Sequence, residues 1–440
     1  MHLIWENVMK NMMLLWSGAY KGLDTGIGSY AFTPPVWEAI GKTSADSGST
    51  IPSCFGPRSP NIAADKSSWT ADSRSLWTLF VGPIVLKDRF PDKRYYEHFV
   101  DFVQLVEMCL QFDMPVSDVA RIRTGFIIWV KQYEELYYQY NPSRLPTCPL
   151  TIHALLHIAD SILIAGPVWA SWAFPMERYC GTLQPAFKSR RFPFAAINRH
   201  VLDHARLTHI RISYASSIRD RLALDAPNLE GYYGGIYENC ALLPSHRVRT
   251  FGRGVTDKIV GTLCTRFAST SPAVVRSALS NVVREWERIR FLPEGDIVSA
   301  AAYHSNDETV SVIRPDSRDN TFVRYEQIVD LNARYRNLPS IWEQQAFFGQ
   351  LMHVIAVDIT AIPSLNIPST TFLFAIIRSC KVISRHPKLD IHYYTEFGPL
   401  EVVDMTTVQC IVGRVYDRGQ WAIVDRSGCL NRAIYAEDEY

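Results

Sequence analysis

Apolar residues recur at every third or fourth position through much of the first 220 residues, and after about residue 300 they condense into runs of β-branched and aromatic residues. The first period lays a stripe along a helix, and the second suits strands, so the chain is expected to be α+β with its helices first. Residues 2 to 20 read as an amphipathic helix, with Leu3, Val8, Met12 and Leu15 at helical spacing and Gly18 just beyond. The segments 71–88, 94–113, 117–140 and 149–165 continue the pattern, with Ser117 and Asp118 as a helix start. A second helical group is expected at 178–188, 195–217 and 272–290, where Pro272 fits a first turn. The Ser-, Gly-, Pro- and Thr-rich stretch 41–68 reads as a long surface loop. Strands are expected at 347–359, 371–383, 402–415 and 421–425. The organisation that follows is a helical region 1–220, a helical or loop linker 221–319, and a small all-β domain 320–433, curled or barrel-like, joined through the polar stretch 305–320.

The chain carries 45 basic against 44 acidic residues, so any attraction for nucleic acid has to come from local clustering. Nine cysteines, an odd number with no C-x-x-C pair, speak against a disulfide framework. Glu6 and Lys10 interrupt the first apolar stretch, which is not the pattern of a secretory leader. An intracellular protein is the expectation. No apolar run reaches the ~18 residues of a membrane span, so no membrane partner is expected.

The stretch most able to carry chemistry is Trp169-Ala-Ser-Trp-Ala-Phe-Pro-Met-Glu-Arg-Tyr-Cys180. Glu177 follows Pro175 by two residues, where a helix begins, and a carboxylate held there can ligate a divalent cation. Its plainer role is to complement the positive end of the helix, worth about 0.3–1 kcal/mol. From residue 178 to 211 come Arg178, Lys188, Arg190, Arg191, Arg199, Arg206 and Arg211 against the single acid Asp203, a local net charge of +6 with neutral histidines. Tyr179, Phe187, Phe192 and Phe194 interleave with them, a pattern suited to phosphate contacts with base stacking. A solvated helix face whose aromatics are core is the alternative. Arg247, Arg249 and Arg253 form a weaker basic loop, and Gly252-Arg-Gly254 lacks the lysine of a phosphate-cradling motif. His153 and His157 stand four apart with Asp160 three further, so one helix face can hold all three. Either they ligate a metal or they form a hydrogen-bonded pair; Ala154 occupies the place of a zinc protease's glutamate. Asp72 reads as a helix-start residue, and no hydrolase triad or zinc-finger spacing is present.

Several separated motifs resemble the fungal branch of CACTA (En/Spm)-type DNA transposases. They are Met-His-Leu-Ile-Trp-Glu-Asn at the start, Gly-Ser-Thr-Ile-Pro-Ser at 48–53 and Thr-Ala-Asp-Ser-Arg-Ser-Leu-Trp at 70–77. Leu-Thr-Ile-His-Ala-Leu-Leu-His-Ile-Ala-Asp at 150–160 and Gly-Pro-Val-Trp-Ala-Ser-Trp-Ala-Phe-Pro-Met-Glu-Arg-Tyr at 166–179 complete the set. The resemblance covers about residues 1–215, as the domain of unknown function that follows the transposase core, and is looser beyond. It implies a nuclear, DNA-binding protein drawn from an RNase-H-like nuclease that uses three acidic residues and two Mg ions. It further implies that Glu177 is the third metal ligand and that the helices before it are an insertion into a core whose central sheet is largely missing. The family's second aspartate stands just before the Met-His pair that is Met1 and His2 here, so catalysis is expected to be incomplete in this chain. A homo-oligomer or the remaining transposase half would be the protein partner. One departure is Asp72-Ser-Arg74, where plant relatives have Asp-x-His. The alternative is a non-catalytic protein- or chromatin-interaction protein built on a domesticated transposase scaffold.

Overall fold

Three tryptophans organise the helical half, and each buried indole N–H finds an acceptor, as burial of a polar group demands. Trp16 donates to the Tyr137 hydroxyl at 3.0 Å, Trp77 to Ser44 Oγ at 2.9 Å and Trp129 to the His98 carbonyl at 2.9 Å. The computed structural model describes residues 2–65, 69–187, 191–222, 237, 240–267, 271–280, 282–291, 296–305, 307, 310–312, 317–335, 337–363 and 367–426, with backbone alone at 211 and 215–222. The first helix is a π-helical stretch His2–Met9 continued by Lys10–Trp16, and Gly18 takes the positive φ of 67° beyond its end. Lys93–Cys109 and Val116–Tyr133 pack as neighbours, with Phe99, Phe102, Phe126 and Trp129 on their buried faces. The second of these begins at Val116 after Pro115, ahead of the expected Ser117 and Asp118. A Cβ on Gly125 would lie 2.3 Å from a Leu105 methyl, so the close approach of the two helices uses the missing side chain. Buried Arg144 ties this pair to the preceding turn, donating to the Tyr137 carbonyl at 2.9 Å, the Asp24 carbonyl at 2.7 Å and the Tyr30 hydroxyl.

The expected small all-β domain at 320–433 is corrected by the structure to a curled antiparallel sheet of ten strands among the described residues, beginning at Cys240. The strands are β1 (Cys240–Arg249), β2 (Val283–Phe291), β3 (Ile297–Ser299), β4 (Phe322–Asp330), β5 (Trp342–Ile359), β6 (Thr370–Arg385), β7 (Ile391–Asp404), β8 (Val408–Ile411), β9 (Gly413–Asp417) and β10 (Gln420–Val424). They run in the order β1-β2-β5-β6-β7-β10-β9, with β3 on β2 and with β4 joining β5 to β8. Val412 alone separates β8 from β9, so the sheet curls back until its last strands meet β4. The supposed linker 221–319 therefore supplies three strands, and the helix expected over 272–290 ends at Ala278. The reason is visible in Val283–Phe291, whose burial alternates at both ends of the strand but is out of step at Glu285 and Trp286, both buried, while Arg284 and Arg288, four apart, imitate the polar face of a helix. The stretch 305–320 does not link separate domains, because sheet strands lie on both sides of it.

The central strands are covered on both faces. Val354, Ala356, Leu373, Ala375 and Ile377 join the core of the helical half, whereas Ile355, Val357, Phe372, Phe374 and Ile376 pack under the helices Arg253–Arg266 and Pro272–Ala278. Burial on both sides explains the near-continuous apolar runs of this region.

The expected surface loop 41–68 is corrected over its described residues, 41–65, which form part of the seam between helices and sheet. Residues 41–46 belong to the helix Pro34–Asp46, and Ser44 and Ser47 are buried. Small side chains there let backbone meet backbone. The Arg414 amide donates to the Thr50 carbonyl at 3.0 Å and the Asp319 amide to the Ser49 carbonyl at 2.8 Å. The Arg414 side chain, 9% exposed, donates to Asp319 at 2.7 Å and to the Tyr394 hydroxyl at 2.8 Å. Its guanidinium lies between Phe322 and Trp421, 3.4 and 4.2 Å from the ring centroids. Arg89 on the helical side pairs with buried Asp417, and Arg318 donates to the Gly56 carbonyl at 2.6 Å.

Arg414→Ala leaves Asp319 buried without its cation and should lower unfolding free energy by about 3–5 kcal/mol in urea titrations; Arg414→Lys should recover little, because a point charge cannot serve two acceptors and two rings together. His98, stacked 4.3 Å from the Trp129 ring, is pushed down to about 3 by burial. It stays neutral in the fold while the unfolded chain takes up a proton below pH ~6.5, so stability should fall on acidification through that window, by at most about 1.4 kcal/mol per pH unit. Urea midpoints at pH 7 and pH 5 should differ less for His98→Phe than for the unsubstituted protein.

Candidate nucleic-acid interface and the Glu177 cluster

Gly166 adopts φ 84° and Pro167 follows it, so the chain leaves the helix Ile158–Ala165 and turns into the short helix Val168–Ser171. The helix Phe174–Leu183 comes next, with Pro175 and Glu177 in its first turn, where proline lacks only an amide that would be unpaired anyway. The Glu177 side chain is 48% exposed, and its Oε1 lies 2.9 Å from His2 Nε2. The other ring nitrogen of His2 is bonded to Glu6. An imidazole between two carboxylates keeps its proton more readily, and the His2 pKa is raised, chiefly by the Glu6 hydrogen bond, with Glu177 adding to it and solvent loss opposing.

Further charges surround this trio. Asp72 sits in the first turn of the helix Ala71–Leu76, whose cap is Thr70, accepting from the Ser73 amide at 3.2 Å. Burial raises the Asp72 pKa, and the Arg178 guanidinium pulls it back. Arg74 lies over the Trp69 ring at 6.0 Å; burial lowers its pKa against the pull of Glu6. The structure thus gathers Glu177, Arg178, His2, Glu6, Asp72 and Arg74 around the start of the first helix. Nothing in the sequence spacing announces His2 as the partner of Glu177.

This cluster does not fit a magnesium centre on its own. Magnesium favours octahedral oxygen ligation by carboxylates, phosphates and water, whereas the near oxygen of Glu177 is taken by an imidazole. Among the described residues no group of three or more His, Cys, Asp or Glu side chains is arranged to hold a metal.

The basic run continues away from Glu177 along the helix Pro193–Leu222, which is kinked at Tyr214 and runs for about 30 Å up to that kink. Arg191, Arg199 and Arg206 are exposed, and Arg199 and Arg206 share Asp203 at 3.8 and 3.4 Å. Phe187, Phe192 and Phe194 are 52, 62 and 78% exposed, and Arg191 lies over the Phe192 ring at 5.4 Å. These aromatics are therefore at the surface and not in a core. Lys188 and Arg190 lie outside the described residues, and for Arg211 only the backbone is described.

Of the weaker basic loop, Arg247 and Arg249 lie on β1 and are engaged within the fold, and exposed Arg253 lies 3.9 Å from Asp257. Arg247 and Arg249 bond to fully buried Glu285, at 2.7 and 3.3 Å, and Glu285 also meets buried His353 at 2.6 Å. Burial pushes the Glu285 carboxyl up, and the hydrogen bonds from His353 and Arg247, with the charge of Arg249, hold it below its usual range all the same. His153 and His157 meet each other, Nε2 to Nε2 at 3.1 Å, while Asp160 is turned to Arg123 at 2.6 Å. No single helix among the described residues is long and apolar enough to cross a membrane. The chain matches no family profile, no curated protein and no solved structure.

The His2 contact sets a titration. Because its pKa is raised, the ion pair with Glu177 should be complete below the ordinary histidine value of about 6.5 and fade as pH rises through the raised one. Imidazole proton shifts followed by NMR should place His2 above that value. Glu6→Gln should lower it more than Glu177→Gln.

Proposed function

We propose that the chain is the C-terminal part of a cut-and-paste DNA transposase of the CACTA (En/Spm) type, and that it grips DNA while leaving catalysis incomplete. The observation that carries the reading is the exposed run of arginines and phenylalanines from Arg191 along the helix Pro193–Leu222, close in sequence to Glu177. Exposed cations can meet phosphates without leaving a buried acceptor behind, since the one acid that Arg199 and Arg206 share, Asp203, is itself exposed, and exposed rings can stack on bases. Arg144, Arg414 and Arg249, by contrast, are committed to buried acceptors.

In this reading Glu177 is one carboxylate of a magnesium centre whose other acids come from the remaining transposase half. Its place beside His2 supports that assignment, because in the family that the chain resembles an aspartate directly precedes the Met-His pair. Such an aspartate would enter the cluster that Glu177 already occupies. The same resemblance implies a nuclear location.

A second reading, a non-catalytic protein- or chromatin-interaction role, is favoured by one specific feature. Residues 326–330 of β4 and 342–348 of β5 pair with each other beyond the point where β6 and β8 leave them. This ribbon and the turn joining it expose Ile328, Leu331, Tyr335, Leu338, Ile341 and Trp342. Two-stranded ribbons of this kind are marginal alone in water, and a protein partner would cover one.

Salt dependence separates the two. Binding to duplex DNA should weaken by about a thousandfold or more between ~50 and ~200 mM salt if about six phosphates are contacted. Replacing Arg191, Arg199 and Arg206 by alanine should reduce the slope of log affinity against log salt by roughly 3. DNA affinity that is absent, or indifferent to salt, overturns the first reading. Magnesium-dependent cleavage by this chain alone, abolished by Glu177→Ala, would overturn the claim of incomplete catalysis.

A further inference from the structure

The exposed pair His153 and His157 belongs neither to the Glu177 cluster nor to the basic helix. His153 lies in the helix Leu150–Ala154, and His157 closes the 3-10 segment Leu155–His157 that leads into the helix Ile158–Ala165. The inward face of this stretch is anchored, because Ile152, Leu155, Ala159 and Ile162 are all buried in the core of the helical half. Both imidazoles point outward from it and converge, with ring centroids 4.9 Å apart, planes at 71° and the two Nε2 atoms 3.1 Å apart.

We infer that His153 and His157 form a two-nitrogen chelate for a late divalent transition metal such as Cu(II) or Zn(II). Ligand nitrogens lie about 2.0–2.1 Å from zinc, so two of them on one ion at roughly 100° are about 3.1 Å apart. That is the separation already present. In the metal-free protein the same approach is a hydrogen bond, the Nε2–H of one ring donating to Nε2 of the other; a bound metal takes the place of that proton, and the ring takes up a proton from solvent at Nδ1 in exchange, so both ligands bind as neutral imidazoles. Neutral imidazole suits borderline metals and not magnesium, whose hard-oxygen preference separates this site from any role of Glu177. Asp160 does not complete the set, since Arg123 holds it. Water fills the remaining coordination positions. Because the backbone is fixed by four buried side chains, little order has to be imposed on binding, which is what makes two ligands sufficient for a measurable site. The inference does not rest on the transposase reading.

Tag-free protein titrated with Cu(II), the strongest binder of the divalent series, tests it. Electron paramagnetic resonance at one equivalent should report imidazole nitrogen coupling, and competition against a chelator of known strength should give the affinity. Either His153→Ala or His157→Ala should weaken binding by about a hundredfold or more, the advantage lost when the second ligand is no longer tethered to the first. His200→Ala with His204→Ala, another exposed pair four apart on the helix Pro193–Leu222, should leave the affinity unchanged. Far-ultraviolet circular dichroism and thermal melting in the absence of metal should match for all variants, since these rings are exposed. Failure of the unsubstituted protein to bind, binding undiminished in His153→Ala or His157→Ala, or loss of binding in the His200 and His204 variant each overturns the assignment.

Discussion

Burial of β5 and β6 on both faces is the constraint from which the rest of the structure follows. A strand sandwiched in this way cannot offer one face to water, so each side needs its own cover, and the chain supplies both. The helices Arg253–Arg266 and Pro272–Ala278 close one face, and the tryptophan-rich helical half closes the other. The curl of the sheet has the same origin: β5 and β6 run for 18 and 16 residues, far beyond ordinary strand length, and long twisted strands bend until their ends find other partners. The helical half is thus not an appendage to a small β module. Its core and that of the sheet are one, and the seam at Ser49, Thr50 and Arg414 is where a shift of either would be felt.

Much of the helical half was legible because its periodicity and its burial coincide. Lys93–Cys109 and Val116–Tyr133 carry stripes that face a core, and pattern finds such helices. The sheet was half legible for an equally physical reason. Strands buried on both faces stand out as apolar runs, which exposed β5, β6 and β10, while β1 and β2 carry arginines that answer buried Glu285 and read as linker or helix. The stretch 41–68 misled in another way, since small polar residues signal a loop whether the backbone is solvated or docked against a strand. Of the site, the arginine and phenylalanine run was plain as composition. The contact of Glu177 with His2 was not, because no local rule links a first-turn carboxylate to an imidazole at the other end of the helical half.

Near-neutral overall charge conceals a division of labour among the cations. Arg89, Arg144, Arg249 and Arg414 are drawn inward to acceptors and rings, and each replaces water with fixed partners. Arg191, Arg199 and Arg206 remain outside, with one aspartate between them. A balance of 45 to 44 counts these groups alike, although only the second set keeps its field for something other than the fold.

The division has a consequence for how the candidate interface is held. From Phe187 to Tyr214 no described residue is buried, so this stretch draws almost nothing from the core that stabilises the rest. Its order comes from backbone hydrogen bonds within its own helix, and the run from Pro193 to the kink at Tyr214 is long enough to offset its costly nucleus where a shorter one would fray. Elements placed at the low end of a protein's stability scale are those whose ordering a ligand can change. The arginines and phenylalanines therefore sit where contact with a polyanion would add order as well as affinity.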